Sequence, residues 1–321
     1  MPDREVGSRT VTAVRHGLTV PFTGVPLADH RDLLRRAEAA GYDDLWTAET
    51  TGYDGFTPLA LAAAHTERVR LGTGVVNPFT RGPAVLAQHA AALADASQGR
   101  FVLGLGSSSN VIVERWNEVP FGRPLSRVRH AVEALRPMLA GERGPGGFRL
   151  ERPPAHPVPI VVAGLRGRML ALAAEVGDGA FTNFLPLSGA RQVAEAFGAP
   201  DKELLCRFFC FLAPEAEALP AARRMLAAYA TVPVYAAFFR WLGWGERIDP
   251  MLRAWEAGDR ARALELVPND LVRDVFLFGD AGAHHERLRA FAEAGITTFV
   301  LAPVCEPGDW PDVIDALSPA G

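Results

Sequence analysis

Two stretches, AEAAGYDDLW at residues 37–46 and FAEAGITTFV at residues 291–300, share one grammar. Each leaves an alanine-rich helical end, passes a glycine and enters a short run of aromatic or β-branched residues. Glycine can take the left-handed turn that stops a helix, so each reads as a helix–turn–strand hinge. Ala-Gly at 40–41, Val-Gly at 176–177 and Ala-Gly at 294–295 repeat the device. Outward from these hinges, β-rich apolar runs fall at 11–15, 44–48, 69–75, 101–105, 160–163, 180–184, 205–212 and 297–301. Helical patterns lie between them at 28–40, 57–66, 84–97, 125–140, 167–176, 188–197 and 282–294. Alternating strands and helices predict βαβ units and an α/β fold with a parallel sheet. Eight repeats favour a closed (β/α)8 TIM barrel over an open doubly wound sheet.

Two regions break the rhythm. Residues 141–158, rich in glycine and proline, read as a surface loop. Residues 214–275 are long and mainly helical, with the aromatic run VYAAFFRWLGW at 234–244. They are expected to form a helical insertion after strand seven that caps the barrel or makes an oligomer face. The barrel pattern resumes afterwards, so residues 1–321 are read as one domain.

Composition narrows the function classes. The chain has 321 residues, 49% apolar, with a formal net charge of -4. That is enough apolar sequence for one large core, and no strong field favours nucleic acid or an anionic membrane. Cys206, Cys210 and Cys305 make neither a CxxC pair nor a His/Cys cluster. No metal site or disulfide framework is expected, and the cysteine usage suits a reducing cytoplasm. No run nears the ~20 apolar residues of a membrane span. His284 and His285 read as a solvated helix start.

In such barrels chemistry sits at the C-terminal ends of the strands. Those mouths read LGTGVVNPFTRGP at 71–83, LGLGSSSNVIVERW at 103–116, VAGLRGRM at 162–169 and DGAFTNFLP at 178–186. Glycine and small hydroxyl residues crowd them, which suits a flat ring system and a phosphate approaching the backbone. A dinucleotide fingerprint is excluded, because GLGSSS lacks the third glycine and the spaced acid.

The blocks AEAAGYDDLWTAE, RVRLGTGVVNPFTRGPAVLAQHAAALADASQGRFVLGLGSSS, VERWNEVPFGRPLSRVRHAVEALRPMLAGE and PIVVAGLRGRMLALAAEVGDGAFTNFL resemble the luciferase-like family. Within it they look most like the branch that uses the deazaflavin coenzyme F420. The resemblance is dense over about residues 30–190 and returns weakly at 276–302. It implies a non-proline cis peptide at Gly74–Val75 that presses on the central ring of the deazaflavin. On the residues alone, Gly72 and Gly74 could simply thin the strand at the rim. It also implies that Gly164, Arg166, Gly167 and Arg168, helped by Gly179 and Ala180, hold the cofactor phosphate at a helix N-terminus. The plainer reading is an exposed loop with two solubilising arginines. Gly106, Ser107, Ser108 and Asn110 could bond the ring's pyrimidine edge or ribityl chain, or cap a helix. Asn77 has the same ambiguity, since Asn-Pro also starts turns.

The chain departs from the branch at the acid–base positions. Thr50 stands where deazaflavin-dependent dehydrogenases place a histidine, and Ser109 where they place an acid. Glu49 at the strand-two mouth remains as a general acid or base, or as an arginine's partner. His16, read at the end of strand one, is the second catalytic candidate, although a lone histidine is more often structural. The missing histidine shifts the expectation toward reduction of a C=C or C=N bond of a small organic substrate, by hydride from coenzyme F420. The alternatives are a flavin mononucleotide (FMN) monooxygenase on the same barrel and a cofactor-binding barrel without turnover. A homodimer is what the family resemblance implies.

Overall fold

The computed structural model describes residues 14–319. Nine strands alternate with helices: β1 (Arg15–Val20), β2 (Asp44–Thr47), β3 (Arg70–Thr73), β4 (Phe101–Leu105), β5 (Ile160–Ala163), β6 (Gly179–Asn183), β7 (Glu203–Phe211), β8 (Leu277–Phe278) and β9 (Thr298–Pro303). The helices are α1 (His30–Ala39), α2 (Thr57–His65), α3 (Pro83–Ala96), α4 (Pro124–Leu139), α5 (Gly167–Val176), α6 (Leu187–Phe197), α7 (Glu215–Ala230), α8 (Pro233–Trp241), α9 (Gly245–Glu256), α10 (Arg260–Glu265), α11 (Asn269–Val275), α12 (Ala281–Glu293) and α13 (Trp310–Ala316). Strands β1 to β7 pair in chain order, β7 pairs with β9, and β9 closes onto β1. Every pairing is parallel, so the eight long strands form a closed barrel. Closure removes the sheet edges that would otherwise invite aggregation.

The first strand lies later than the sequence reading placed it, at Arg15–Val20 in place of 11–15. Residues 11–13 fall outside the described residues. The two-residue β8 was not foreseen. It only lengthens the end of β7 through Cys210 opposite Leu277, and a pair that short has no periodicity to read. Between β7 and β8 run α7 to α11, the helical segment expected after strand seven. Gly41 and Gly295 close their helices at φ +90° and +109°. Gly177 does not: its φ is -92°. It is glycine for space, because a Cβ there would lie 2.8 Å from the Ala173 carbonyl oxygen.

Strand alternation sorts the interior into layers. At the N-terminal rim the carboxylate of fully buried Asp44 accepts from Arg15 (2.5 Å) and Arg70 (2.7 Å). Arg70 also pairs with Glu203 at 2.6 Å, and Glu203 accepts the Thr298 hydroxyl. Burial pushes the Asp44 carboxyl up, but Arg70 and then Arg15 outweigh it and hold the group below its usual range. Above this plug sit Trp46, Val102, Val161, Phe181, Leu205 and Val300. Gly72 faces the Trp46 indole, and any Cβ there would overlap the ring. Trp46 is thus a barrel-interior core residue below the mouth. Outside the barrel, one continuous apolar cluster joins the strands' outer faces to the helices.

Candidate functional site

The mouth of the barrel is built where β3 and β4 part. After Thr73 the β3 backbone bulges, and the Gly74–Val75 peptide is cis, the isomer the family resemblance implies at that bond. The Thr73 hydroxyl repairs the gap in the ladder, accepting from the Gly104 N–H (2.8 Å) and donating to the Gly104 carbonyl (2.9 Å). Pairing resumes with Val76 N–H to Gly104 and Gly106 N–H to Val76. A Cβ on Gly106 would meet the Val75 side chain at 2.5 Å and Ala163 at 2.9 Å. The wall formed by Gly74, Val75 and Gly106 is therefore bare backbone with one apolar side chain.

Asn77 is buried and committed to the turn that follows. Its Oδ1 accepts from the Phe79 and Thr80 N–H groups and from the Thr80 hydroxyl. Among the described residues its Nδ2 has no partner, so that donor is the part of Asn77 left for a ligand. Ser107, Ser108 and Asn110 are half-buried along the segment leaving β4. Ser108 has φ +61°, and Asn110 precedes the helical turn Val111–Trp116. The side-chain cap of that turn comes from Ser109, whose Oγ accepts from Ile112 N–H at 3.3 Å.

Beyond β5, Gly164 is buried and packs tightly against the start of α5, where a Cβ would lie 3.1 Å from the Leu170 nitrogen. Arg166 is the N-cap and Gly167 begins the helix at φ +21°. Both Arg166 and Arg168 are exposed. No acidic residue occupies the first turn. The Gly167 and Arg168 N–H groups have no backbone partner, since the first bonds back to Arg166 come from Met169 and Leu170. Free N–H groups, a helix dipole and two cations converge here.

Two expected placements fail on geometry. Gly179 and Ala180 open β6 in register with Val161 and Val162, and Gly179 is level with Glu203 of the plug. They lie at the N-terminal end of β6, two to three residues below Gly164, whose N–H bonds the Phe181 carbonyl, and this register places them beneath the mouth. His16 is the second residue of β1 and pairs with Phe299 near the start of β9. Its ring packs edge-on against Phe299 at 5.2 Å on the outer face of the barrel. Its Nδ1 has no partner among the described residues, and burial lowers its pKa. The one-strand shift of β1 removed it from the mouth. His284, expected in solvent, is fully buried, with Nδ1 on the Asp280 carbonyl at 2.7 Å.

Glu49 does stand at the mouth, but it is engaged. Arg81 binds it through both oxygens (2.8 and 2.5 Å) and the Gly55 N–H adds a third bond of 3.1 Å. A carboxylate holding three donors is a clamp on the loop between β2 and α2.

The residue the sequence reading missed is Arg207, in the middle of β7. Its guanidinium crosses the barrel to reach Thr19 Oγ1 (3.2 Å), the Gly74 carbonyl (2.9 Å) and the Thr47 carbonyl (2.9 Å). It lies 5.3 Å from the centroid of Phe181. Burial lowers its pKa, opposed by the phenols of Tyr229 and Tyr235 and by Cys206. Tyr235, from α8, accepts from the Asn183 side-chain amide at 3.2 Å. The helical segment thus reaches the mouth through two tyrosines. Of the segment's aromatic run, Phe238 and Phe239 are fully buried core. The sequence signal was an arginine inside an otherwise apolar strand pattern.

Comparison with known proteins agrees with this architecture. A Mycobacterium tuberculosis protein, named only as a candidate coenzyme F420-dependent oxidoreductase, is 29% identical, with 89% of this chain and 94% of that protein covered. The structure of coenzyme F420-dependent tetrahydromethanopterin reductase from Methanopyrus kandleri superposes with a TM-score of 0.77 at 20% identity, covering 96% of this chain and 98% of that one. The oxygenating constituent of 3,6-diketocamphane monooxygenase from Pseudomonas putida, solved with FMN, gives 0.67 at 17% identity, covering 96% and 98%. The luciferase-like monooxygenase family model matches residues 6–298, and the chain belongs to that family.

Proposed function

We propose that the chain is an F420-dependent oxidoreductase that passes a hydride to a C=C or C=N bond of a small organic substrate. The observation that carries this is the mouth itself. A side-chain-poor wall at Gly74, Val75 and Gly106 stands on one side, and the unpaired N–H groups of α5 stand at another edge. That shape fits a flat tricycle with a phosphorylated tail. Gly164, Gly167, Arg166 and Arg168 would hold the phosphate, while Val75 would back the ring and Ser107, Ser108, Asn110 and Asn77 Nδ2 would bond its polar edge. The deazaflavin, when bound, supplies a carbon-borne hydride and no oxygen activation. The protein orients the two reactants and keeps the floor dry. The likeness to the F420-dependent relative over 94% of its length supports this cofactor.

With Glu49 clamped by Arg81, that carboxylate is not free to act as the base of an alcohol oxidation, which favours the reductive direction. The FMN-bound monooxygenase of the same fold sustains the second reading, an FMN-dependent enzyme. Fluorescence titration of the purified protein with F420 and with FMN separates the two. Saturable binding of F420 in the micromolar range or tighter is expected, followed by anaerobic bleaching of the reduced cofactor with an activated alkene or imine. Saturable binding of FMN with oxygen-dependent turnover would replace the first reading with the second.

A further inference from the structure

Among the described residues Arg207 is the only buried arginine, at 7% exposure, and it meets no carboxylate. The other buried charges at the far rim, Asp44 with its arginines, are paired. A guanidinium carries five N–H donors, and the three bonds to Thr19, Gly74 and Thr47 leave two without an acceptor among the described residues. Folded proteins keep an enclosed charge unpaired only against a steep desolvation cost. A methionine would fill that space without the cost.

Position sharpens the point. The Thr47 carbonyl ends β2 and the Gly74 carbonyl follows β3, so the guanidinium lies level with the mouth's floor and bonds the carbonyl of the peptide proposed to back the ring. Glycine at 74 is what admits it, since a Cβ there would lie 2.9 Å from Arg207 Nη2. Phe181 supports its other side, and the phenols of Tyr229 and Tyr235 bear on it from the helical segment.

We propose that Arg207 is the receptor for an anionic oxygen of the molecule that fills the mouth, a delocalised enolate or carboxylate whose charge replaces the missing counter-ion. This rests on the oxidoreductase reading. Two sources share the chemistry: the pyrimidinedione of the reduced ring, or a carboxylate on the substrate.

Anaerobic calorimetry on the wild type, Arg207→Lys and Arg207→Met distinguishes them. If the ring is the source, the wild type binds reduced F420 at least about tenfold more tightly than oxidised F420, the size expected of a charge-assisted hydrogen bond. That ratio falls to about one in Arg207→Met and is partly kept in Arg207→Lys. If the substrate is the source, the ratio is unaffected by Arg207→Met. The cofactor-free wild type then prefers benzoate and crotonate to their amides, and the preference is lost in Arg207→Met. Either pattern supports the proposal. A wild type with neither preference, or an Arg207→Met protein that keeps both and differs only in melting temperature, overturns it and makes Arg207 a structural pin. Arg207→Lys keeps the comparison available if Arg207→Met does not fold. Failure of the wild type to bind either redox state strikes the oxidoreductase reading instead, because the carboxylate comparison uses no cofactor.

Discussion

Gly74 shows how much a missing side chain can decide. Its ideal Cβ would lie 2.9 Å from both the Arg207 guanidinium and the Thr47 carbonyl, and 3.1 Å from Phe181. The flexible arginine could retreat, but the carbonyl belongs to the neighbouring strand. Gly74→Ala is therefore expected to cost about 1–3 kcal/mol, as overpacking does. Urea denaturation checks it, and cofactor titration should show weakened binding in the same variant. The exposed Arg166 makes the opposite case. It touches nothing that holds the fold, so Arg166→Glu should leave stability within about 0.5 kcal/mol. It should nevertheless weaken F420 binding by about tenfold through lost attraction and added repulsion at the helix N-terminus. Unchanged affinity in that titration would remove Arg166 from the phosphate site.

At the scale of elements, the N-terminal rim is held by charge and the C-terminal rim is left to chemistry. Asp44 on β2 ties β1 to β3, and Arg70 carries the link across the barrel to β7. Asp44→Ala leaves the half-exposed Arg15 without that carboxylate while Arg70 keeps Glu203, and a loss of about 1–3 kcal/mol is expected. Because the folded-state pKa of Asp44 is depressed, its contribution is complete above the unfolded carboxyl value near 3.9. It is lost as pH falls through the folded value. Equilibrium unfolding between about pH 5 and 2 should show that slope in the wild type and a shallower one in Asp44→Ala, since other carboxylates such as Glu38 and Asp54 are also held low. Elements were also where the sequence was most readable. Phe101–Leu105, Ile160–Ala163 and Gly167–Val176 match the expected spans to the residue, because a buried strand or amphipathic helix advertises its period. Strand one was harder: its early residues VTAVR and its true span RHGLTV are equally β-rich. That four-residue slide misplaced His16. Gly179 and Ala180 came from the family resemblance, and their register at the start of β6 is set by strand pairing that no local pattern reveals. Arg207 interrupts an apolar strand pattern, but nothing local announced its partners Thr19, Thr47 and Gly74, which are remote in sequence.

For the whole molecule, burial of histidine sets a second pH dependence. His16 and His284 both have lowered pKa values, with desolvation as the leading cause. The folded state thus binds fewer protons than the unfolded chain just below pH 6.5, and stability is complete above that value and falls on acidification through it. Thermal melts in a pH series from about 7.5 to 5 should show the decline, and His284→Gln should flatten it. Across this range Asp44, held below its usual carboxyl range, stays ionised, so the two effects separate. The ring closes by joining Arg15 to Thr298, the first described strand to the last. Until residues 298–303 have emerged from the ribosome, β1 has β2 beside it and an open flank on its other side. Such long-range pairing makes for slow maturation and exposes a sticky ribbon meanwhile. Nascent chains stalled before residue 298 should engage chaperones and remain protease-sensitive, however complete their first six strand–helix units are.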